Sequence, residues 1–179
     1  MSLFRELGDH PELVAALNCL GRFMARHGDY AAARAHHEEA LSICRQVGAR
    51  DRIAQSLSGL ADVARRQADD AAADALYRDA LRAAWTIGAR SEVPALLESL
   101  ASTAAARGEP DRAVLLWGAA QTLRDNISLP RPSDQEDDYS RSIQAARAEL
   151  HEDRFAAAWT RGQRADMDAV IADALQATL

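Results

Sequence analysis

The sequence predicts an all-α protein made of about three consecutive helical hairpins of forty residues each, followed by further C-terminal helices. Hydrophobic residues make up 48% of the chain but aromatic residues only 5%, so Ala and Leu supply most of the apolar surface. Both are strong helix formers, whereas β-branched and aromatic residues favour sheets. The internal repeat is the third observation, because Leu-x-x-Leu followed by a small residue begins at Leu17, Leu57 and Leu97.

Each forty-residue unit contains two apolar-periodic stretches separated by a break of the Gly-Asp type, a pattern typical of a helical hairpin. Pro11 and Pro94 fall in predicted first turns, and Pro110 suits the first helical position, where its missing N–H costs nothing. The predicted helices lie near residues 11–27, 31–47, 52–67, 70–87, 92–107 and 110–126. The predicted repeats are 9–48, 49–88 and 89–128.

The first residues match the end of a second repeat helix, since residues 3–8 resemble residues 43–48 in character. We therefore interpret residues 1–8 as the remnant of a preceding repeat. The first hairpin would then expose its stacking face. Either the chain was cut from a longer protein or this face pairs with a second copy as a homodimer; a short native chain with a stub helix is the remaining alternative.

The C-terminal residues 129–179 are predicted to form a linker and capping helices. A Pro-rich break precedes Ser133, and Glu136 three residues later completes a capping-box signature. A helix through Leu150, a short helix around residues 155–162 and a last helix capped by Asp166 and ending near Ala177 follow.

The repeat resembles the tetratricopeptide repeat (TPR), in which large apolar, small, alanine and aromatic positions recur in a fixed order. The residues that fill these positions are Leu17, Leu20, Gly21, Met24, Ala33, His37 and Ala40; Leu57, Leu60, Ala61, Ala64, Ala73, Tyr77 and Ala80; and Leu97, Leu100, Ala101, Ala104, Ala113, Trp117 and Ala120. The resemblance implies a right-handed α-α superhelix, a solenoid whose first helices line a concave groove that binds proteins or peptides. The unit is longer than the usual TPR, as in extended variants from bacterial regulators.

The C-terminal part resembles the end of large bacterial ATP-binding regulators of the signal-transduction ATPase type. Residues 116–124, Tyr139, Arg147, residues 155–159 and Gly162 are similar to that region. The group includes LuxR-type and antibiotic-regulatory-type transcription factors and ATPase-linked nucleotide cyclases. The resemblance implies a sensor or regulatory module, with the ATPase and DNA-binding parts outside this sequence.

Charge and composition exclude several function classes. All 21 basic residues are Arg, which excludes any mechanism that needs a Lys of this chain. A net charge of −6 disfavours direct nucleic-acid binding. The absence of a signal-peptide or membrane-spanning pattern predicts a cytoplasmic location. Cys19 and Cys44 do not form a metal-ligand spacing, so we expect no metal and no cofactor. His37 occupies an aromatic repeat position and is predicted to pack between helices.

The predicted ligand site is the groove lined by the first helix of each hairpin. Arg22 and Arg26 are a like-charge pair one turn apart, which favours an anion between them. Because Arg binds carboxylates through two hydrogen bonds, an acidic peptide or a chain-terminal carboxylate is the expected ligand. An alternative is that Asp62 and Glu98 pair with these arginines. The predicted lining residues are Asn18, Arg22, Arg26, Gln55, Ser58, Asp62, Arg65, Arg66, Glu98 and Ser102.

The expected function is therefore a non-catalytic protein or peptide interaction module, within a larger transcriptional regulator by resemblance. Two alternatives stay open. One is a free-standing scaffold or co-chaperone-like adaptor. The other is a small enzyme, whose site would lie between the tail helices and the third hairpin.

Overall fold

The computed structural model describes residues 10–176, which form eight α-helices. The described part of the chain contains no strand, and the helices follow one another as hairpins, so the predicted all-α repeat fold is confirmed. The prediction for residues 1–8 lies outside the described residues. The helices are α1 (His10–Arg26), α2 (Tyr30–Val47), α3 (Arg50–Arg66), α4 (Asp70–Thr86), α5 (Val93–Ala106), α6 (Pro110–Asn126), α7 (Ser133–Arg164) and α8 (Met167–Ala174).

The chain divides into two compact units, with the boundary after Ala89. The first unit contains α1 to α4, in which α1 packs on α2 and α3, and α3 packs on α4. Its core includes an apolar cluster from α1 and α2 and a second cluster that joins α1, α2 and α3. The buried members of these clusters are Leu13, Val14, Leu17, Ala40 and Cys44 in the first, and Ala25, Ala33 and Val63 in the second.

Small residues allow the helices of the first unit to approach closely. Ala33, Ala61 and Ala73 are fully buried, as predicted from the repeat. Gly21 of α1 and Gly59 of α3 lie against the two sides of the buried His37 ring. A Cβ added at Gly21 would lie 2.5 Å from the His37 Nε2 atom, so the imidazole occupies the space that a larger residue would need.

The helix ends repeat with the same forty-residue period as the sequence. Asp29 and Asp69 cap α2 and α4 by accepting a hydrogen bond from the backbone N–H three residues later, at 3.0 Å in both cases. The loop positions between helices take left-handed backbone conformations. These positions are Gly28, Ala68 and Gly108 within the hairpins, and Gly48, Gly88 and Ser128 after them.

The second unit contains α5 to α8, and large apolar side chains form its core. α6 packs on α5 and α7. α7 has non-helical backbone at His151 (φ 59°, ψ 158°), so it consists of two helical segments that meet at this residue. The sequence likewise predicts one helix that ends near Leu150 and a second that begins near residue 155. The largest buried apolar residues are Leu97, Leu116, Trp117, Leu150, Phe155 and Ile171.

The predicted capping box at the start of α7 is wrong. The N-cap residue is Pro132, whose extended backbone (φ −59°, ψ 137°) leads directly into the helix, so Ser133 is already the first helical residue. The Glu136 carboxylate instead lies 3.2 Å from Arg131. The predicted cap of the last helix is confirmed, since the Asp166 carboxylate accepts a hydrogen bond from the backbone N–H of Ala169.

Within residues 10–176, none of the helices combines the length and the apolar character that a membrane crossing requires.

Candidate functional site

An arginine surface lies on the first helices of the two hairpins in the first unit. We define it as Arg22 and Arg26 of α1 with Arg65 and Arg66 of α3, all of which are exposed. Each pair spans at most one helical turn, so the guanidinium groups of a pair leave their helix within about 6 Å of each other along the axis. Half-buried Ser58 and Gln55 lie about two and three turns before the α3 pair.

Asp62 is the acidic residue at the centre of the arginine surface. Three arginines of this surface act electrostatically on the Asp62 carboxyl, namely Arg65, Arg66 and Arg22. The hydroxyl of buried Tyr77 donates a hydrogen bond to the same carboxylate. Burial raises the pKa of Asp62, and the Tyr77 hydroxyl and the arginines oppose this rise.

The charges of this surface do not balance. Arg22, Arg65 and Arg66 act on a single carboxylate, which already accepts a hydrogen bond from Tyr77, and Arg26 adds a fourth exposed guanidinium one turn from Arg22. The surface is therefore cationic in a chain whose net charge is −6. An excess of exposed guanidinium groups is the arrangement that binds carboxylates, because each can donate two parallel hydrogen bonds to one carboxylate.

Arg22 is held in part by its own helix. Its Nη2 atom donates to the Cys19 sulfur at 3.1 Å, one turn earlier. This contact is exposed and involves a weak acceptor, so a carboxylate can replace it at small cost.

Asn18 lies inside the first unit, so its predicted contact with a ligand is wrong. The residue has no exposed surface, and both the nitrogen and the oxygen of its side-chain amide form hydrogen bonds. Its Nδ2 donates to the Ser56 hydroxyl at 3.1 Å, and its Oδ1 lies 2.9 Å from the His37 Nδ1. Asn18 therefore positions α1 against α2 and α3 beneath the arginine surface.

The hydrogen bonds of Asn18 determine which ring nitrogen of neutral His37 carries the proton. Since the amide nitrogen of Asn18 donates to Ser56, its oxygen must accept, and His37 Nδ1 must donate. The other ring nitrogen faces Gly21. Burial lowers the pKa of His37 to about 4, with further contributions from Arg22 and His36. The predicted packing role of this residue is confirmed.

Glu98 and Ser102 lie in the second unit, and the predicted ligand contact of Glu98 is wrong. Glu98 is buried, and its carboxylate forms two hydrogen bonds with Arg124, at 2.8 and 2.9 Å, and a third with Arg131 at 2.7 Å. The Ser102 hydroxyl donates to the Glu98 carbonyl oxygen at 2.9 Å. The Glu98 carboxylate is thus paired with two arginines within its own unit, and three of its roughly four acceptor positions are filled.

Arg131 makes contacts that the sequence pattern does not predict. Its guanidinium lies 3.3 Å from the centre of the Tyr139 ring, and Tyr139 in turn meets Trp117 edge-on. Together with the Glu98 hydrogen bond, these contacts hold the Pro-rich segment before α7 against α5 and α6. The Pro-Arg-Pro sequence was the only available signal, and it indicates a break rather than a contact.

The space between the third hairpin and the tail, where the alternative of a small enzyme would place its site, is closed where α6 crosses α7. A Cβ added at Gly118 would lie 2.5 Å from the carbonyl oxygen of Trp159, and one added at Gly162 would meet the carbonyl of Leu115. The two backbones are therefore in direct contact there. Among residues 10–176, no three His, Cys, Asp or Glu side chains are grouped as a metal ion requires.

Comparison with known families agrees with the hairpin architecture. Residues 12–84, which lie in the first unit, match the tetratricopeptide repeat family. This match covers less than half of the chain but includes the whole arginine surface. No curated protein and no solved structure is significantly similar to the chain. Tetratricopeptide repeats typically act as non-catalytic scaffolds for protein interaction, so the matched residues have the fold of a protein-interaction module.

Proposed function

We propose that this protein binds an acidic peptide segment, or a chain-terminal carboxylate, on the arginine surface of α1 and α3. The observation that supports this proposal is the charge imbalance around Asp62, where three exposed arginines act on one carboxylate and Arg26 lies one turn from Arg22. Gln55 and Ser58, half-buried on α3, add neutral donors and acceptors for the backbone of an extended ligand.

We further propose that the chain serves a larger bacterial ATP-dependent transcriptional regulator as its C-terminal sensor or regulatory module, without a catalytic role of its own. Support for this context comes from the resemblance of the tail. Residues 116–124 and Tyr139 belong to that resemblance, and Trp117 of this segment meets Tyr139 edge-on in the second unit.

The test is a fluorescence anisotropy titration of a labelled glutamate-rich peptide against the wild type and the double variant Arg22→Glu with Arg65→Glu. We expect the wild type to bind in the micromolar range and the variant to lose at least tenfold in affinity. Each substitution replaces an attractive charge by a repulsive one next to the ligand.

The matched control is Arg45→Glu with Arg82→Glu, which makes the same change in net charge at exposed sites on the second helices α2 and α4. We expect this control to retain the wild-type affinity within about twofold. Equal losses in both variants would contradict the proposed site, and so would unchanged binding in the Arg22 and Arg65 variant. Amidating the peptide terminus then distinguishes a side-chain ligand from a terminal carboxylate.

A further inference from the structure

The outward face of α1 carries a partly apolar row of residues. We define the α1 stripe as Glu12, Ala16, Cys19, Leu20, Phe23 and His27, which share one face by helical periodicity. Phe23 is 54% exposed, the largest value for a large hydrophobic residue in the described part of the chain. Its ring lies against the His27 ring, with the ring centres 4.1 Å apart and the planes tilted by 35°.

The equivalent face of α3 is buried against other helices of the first unit, which shows that a face of this composition packs on a neighbouring helix. Forty residues later the stripe positions include Ser56, Gly59, Leu60 and Val63, and all four are buried. Ser56 bonds to Asn18, Gly59 lies against His37, and Val63 joins a cluster with α1 and α2. A preceding helix therefore covers this face in the second hairpin, whereas the same face of α1 retains exposed apolar surface.

The α1 stripe is complementary to itself in size. Two copies of α1 can pack antiparallel about a two-fold axis between residues 19 and 20. In this arrangement each residue faces a residue of the second copy, and the two residue numbers add up to 39. Phe23 then faces the small Ala16 of the second copy, and Cys19 faces Leu20. Large side chains thus meet small ones at the centre of the contact, as close helix packing requires.

The stripe is also complementary to itself in charge. In the same antiparallel arrangement the acidic Glu12 faces the end of the partner helix that contains Arg26 and His27. Antiparallel packing also places each positive helix N-terminus beside the negative C-terminus of the other copy. A parallel arrangement would instead bring the arginines of both copies together.

We propose that a second copy of this chain docks on the α1 stripe, forming an antiparallel α1–α1 homodimer. A single pair of helices buries a small area, so the complex is weak, with a dissociation constant of roughly 1 to 100 μM. The proposal does not rest on ligand binding, although Arg26 belongs to both surfaces. Phe23 and Ala16 lie at least about 100° around α1 from Arg22, so the Phe23→Glu variant tests the dimer without changing the arginine surface.

The first test is sedimentation equilibrium of the full chain under reducing conditions, together with the Phe23→Glu variant. We expect a concentration-dependent dimer for the wild type and a dissociation constant at least tenfold larger for the variant. Phe23 is exposed, so the substitution leaves the core intact, and circular dichroism checks this. The control Ala75→Glu, at an exposed position of α4, should dimerise as the wild type does.

The second test identifies the arrangement of the helices. Glu12→Arg and Arg26→Glu should each dimerise at least tenfold more weakly than the wild type, whereas an equimolar mixture of the two variants should form a heterodimer. A short bismaleimide should link Cys19 to Cys19 of the second copy, since both lie beside the proposed two-fold axis, while Cys44 is buried.

A monomer at all concentrations up to roughly 200 μM would overturn the proposal, and the α1 stripe would then be a contact surface for a helix other than α1 of a second copy. A dimer that survives Phe23→Glu, or a mixture that fails to associate, would overturn it as well.

Discussion

The imidazole of His37 is surrounded by groups that suit only its neutral form. Its Nδ1 donates to Asn18, and its other nitrogen is buried against Gly21 of α1, so a positive charge on the ring would be desolvated. Arg22 and His36 oppose the extra positive charge. The folded protein therefore binds a proton at His37 much less readily than the unfolded chain does.

This difference predicts a loss of stability in mild acid. The pKa of His37 is lowered from 6.5 to about 4, so between these pH values the unfolded chain binds more protons than the folded protein. The free energy of unfolding should be fully retained above pH 6.5 and should fall by about 3 kcal/mol by pH 4. Urea unfolding followed by circular dichroism at several pH values measures this.

The variant His37→Phe should lose most of this pH dependence, whereas His27→Gln, at an exposed position, should keep it. Burial raises the pKa of Asp62, which acts in the opposite sense. Because Asp62 is present in all three proteins, the difference between them isolates His37. An identical pH profile for wild type and His37→Phe would show that His37 is not the titrating group.

At the scale of the helices and their connections, the forty-residue period determines backbone conformation as well as side-chain identity. Residues 28, 68 and 108 all have positive φ, but the second position is Ala68 rather than glycine, with φ 59°. A side chain with a Cβ is strained in this region by about 1 kcal/mol. The second hairpin thus retains a strained connection that the other two avoid.

Replacing Ala68 by Gly should therefore stabilise the protein by roughly 0.5 kcal/mol, because relief of about 1 kcal/mol of strain exceeds the roughly 0.5 kcal/mol cost of glycine flexibility in the unfolded chain. Thermal unfolding measures the change. The control Ala75→Gly, an exposed helical position in α4, should destabilise by about 1 kcal/mol. A loss of stability in both variants would contradict the strain at Ala68.

The crossing of α6 and α7 gives a second prediction for a helix pair. Gly162→Ala should destabilise the protein by about 1 to 3 kcal/mol, because the added Cβ meets the carbonyl of Leu115. Helix propensity alone predicts the opposite, a gain of about 1 kcal/mol, so the sign of the measured change decides between packing and propensity. Gln163→Ala, the exposed neighbour, should be neutral.

The sequence predicted what local periodicity and repetition determine. The bounds of α1 to α6 follow from apolar spacing and from breaks such as residues 28–30, and the structure places them within a few residues of the prediction. The groove residues that the sequence misassigned are Asn18 and Glu98. Their burial depends on partners such as Ser56 and Arg124, more than twenty residues away, which periodicity does not specify.

At the scale of the whole molecule, charge is divided unevenly between the two units. Residues 1–89 contain eleven arginines and twelve acidic residues, whereas residues 90–179 contain ten arginines and fifteen acidic residues. The acidic excess of the chain therefore lies almost entirely in the second unit. An acidic ligand is repelled least by the unit that holds the arginine surface.

This charge distribution predicts that binding of the glutamate-rich peptide weakens with added salt. Raising the ionic strength from roughly 0.05 to 0.5 M should reduce affinity by at least tenfold, because exposed charges are screened within a few ångströms at high salt. Anisotropy titrations at several salt concentrations measure the slope. Affinity that does not change with salt would indicate apolar docking instead of recognition by arginine.

The most direct test of acidic-ligand recognition is a nuclear magnetic resonance titration of the isotope-labelled chain with the glutamate-rich peptide. We predict that the largest shift changes occur at the side-chain N–H groups of Arg22, Arg65 and Arg66 and at the amide group of Gln55. Shift changes confined to α2, α4 or the second unit, with these four side chains unaffected, would contradict the account.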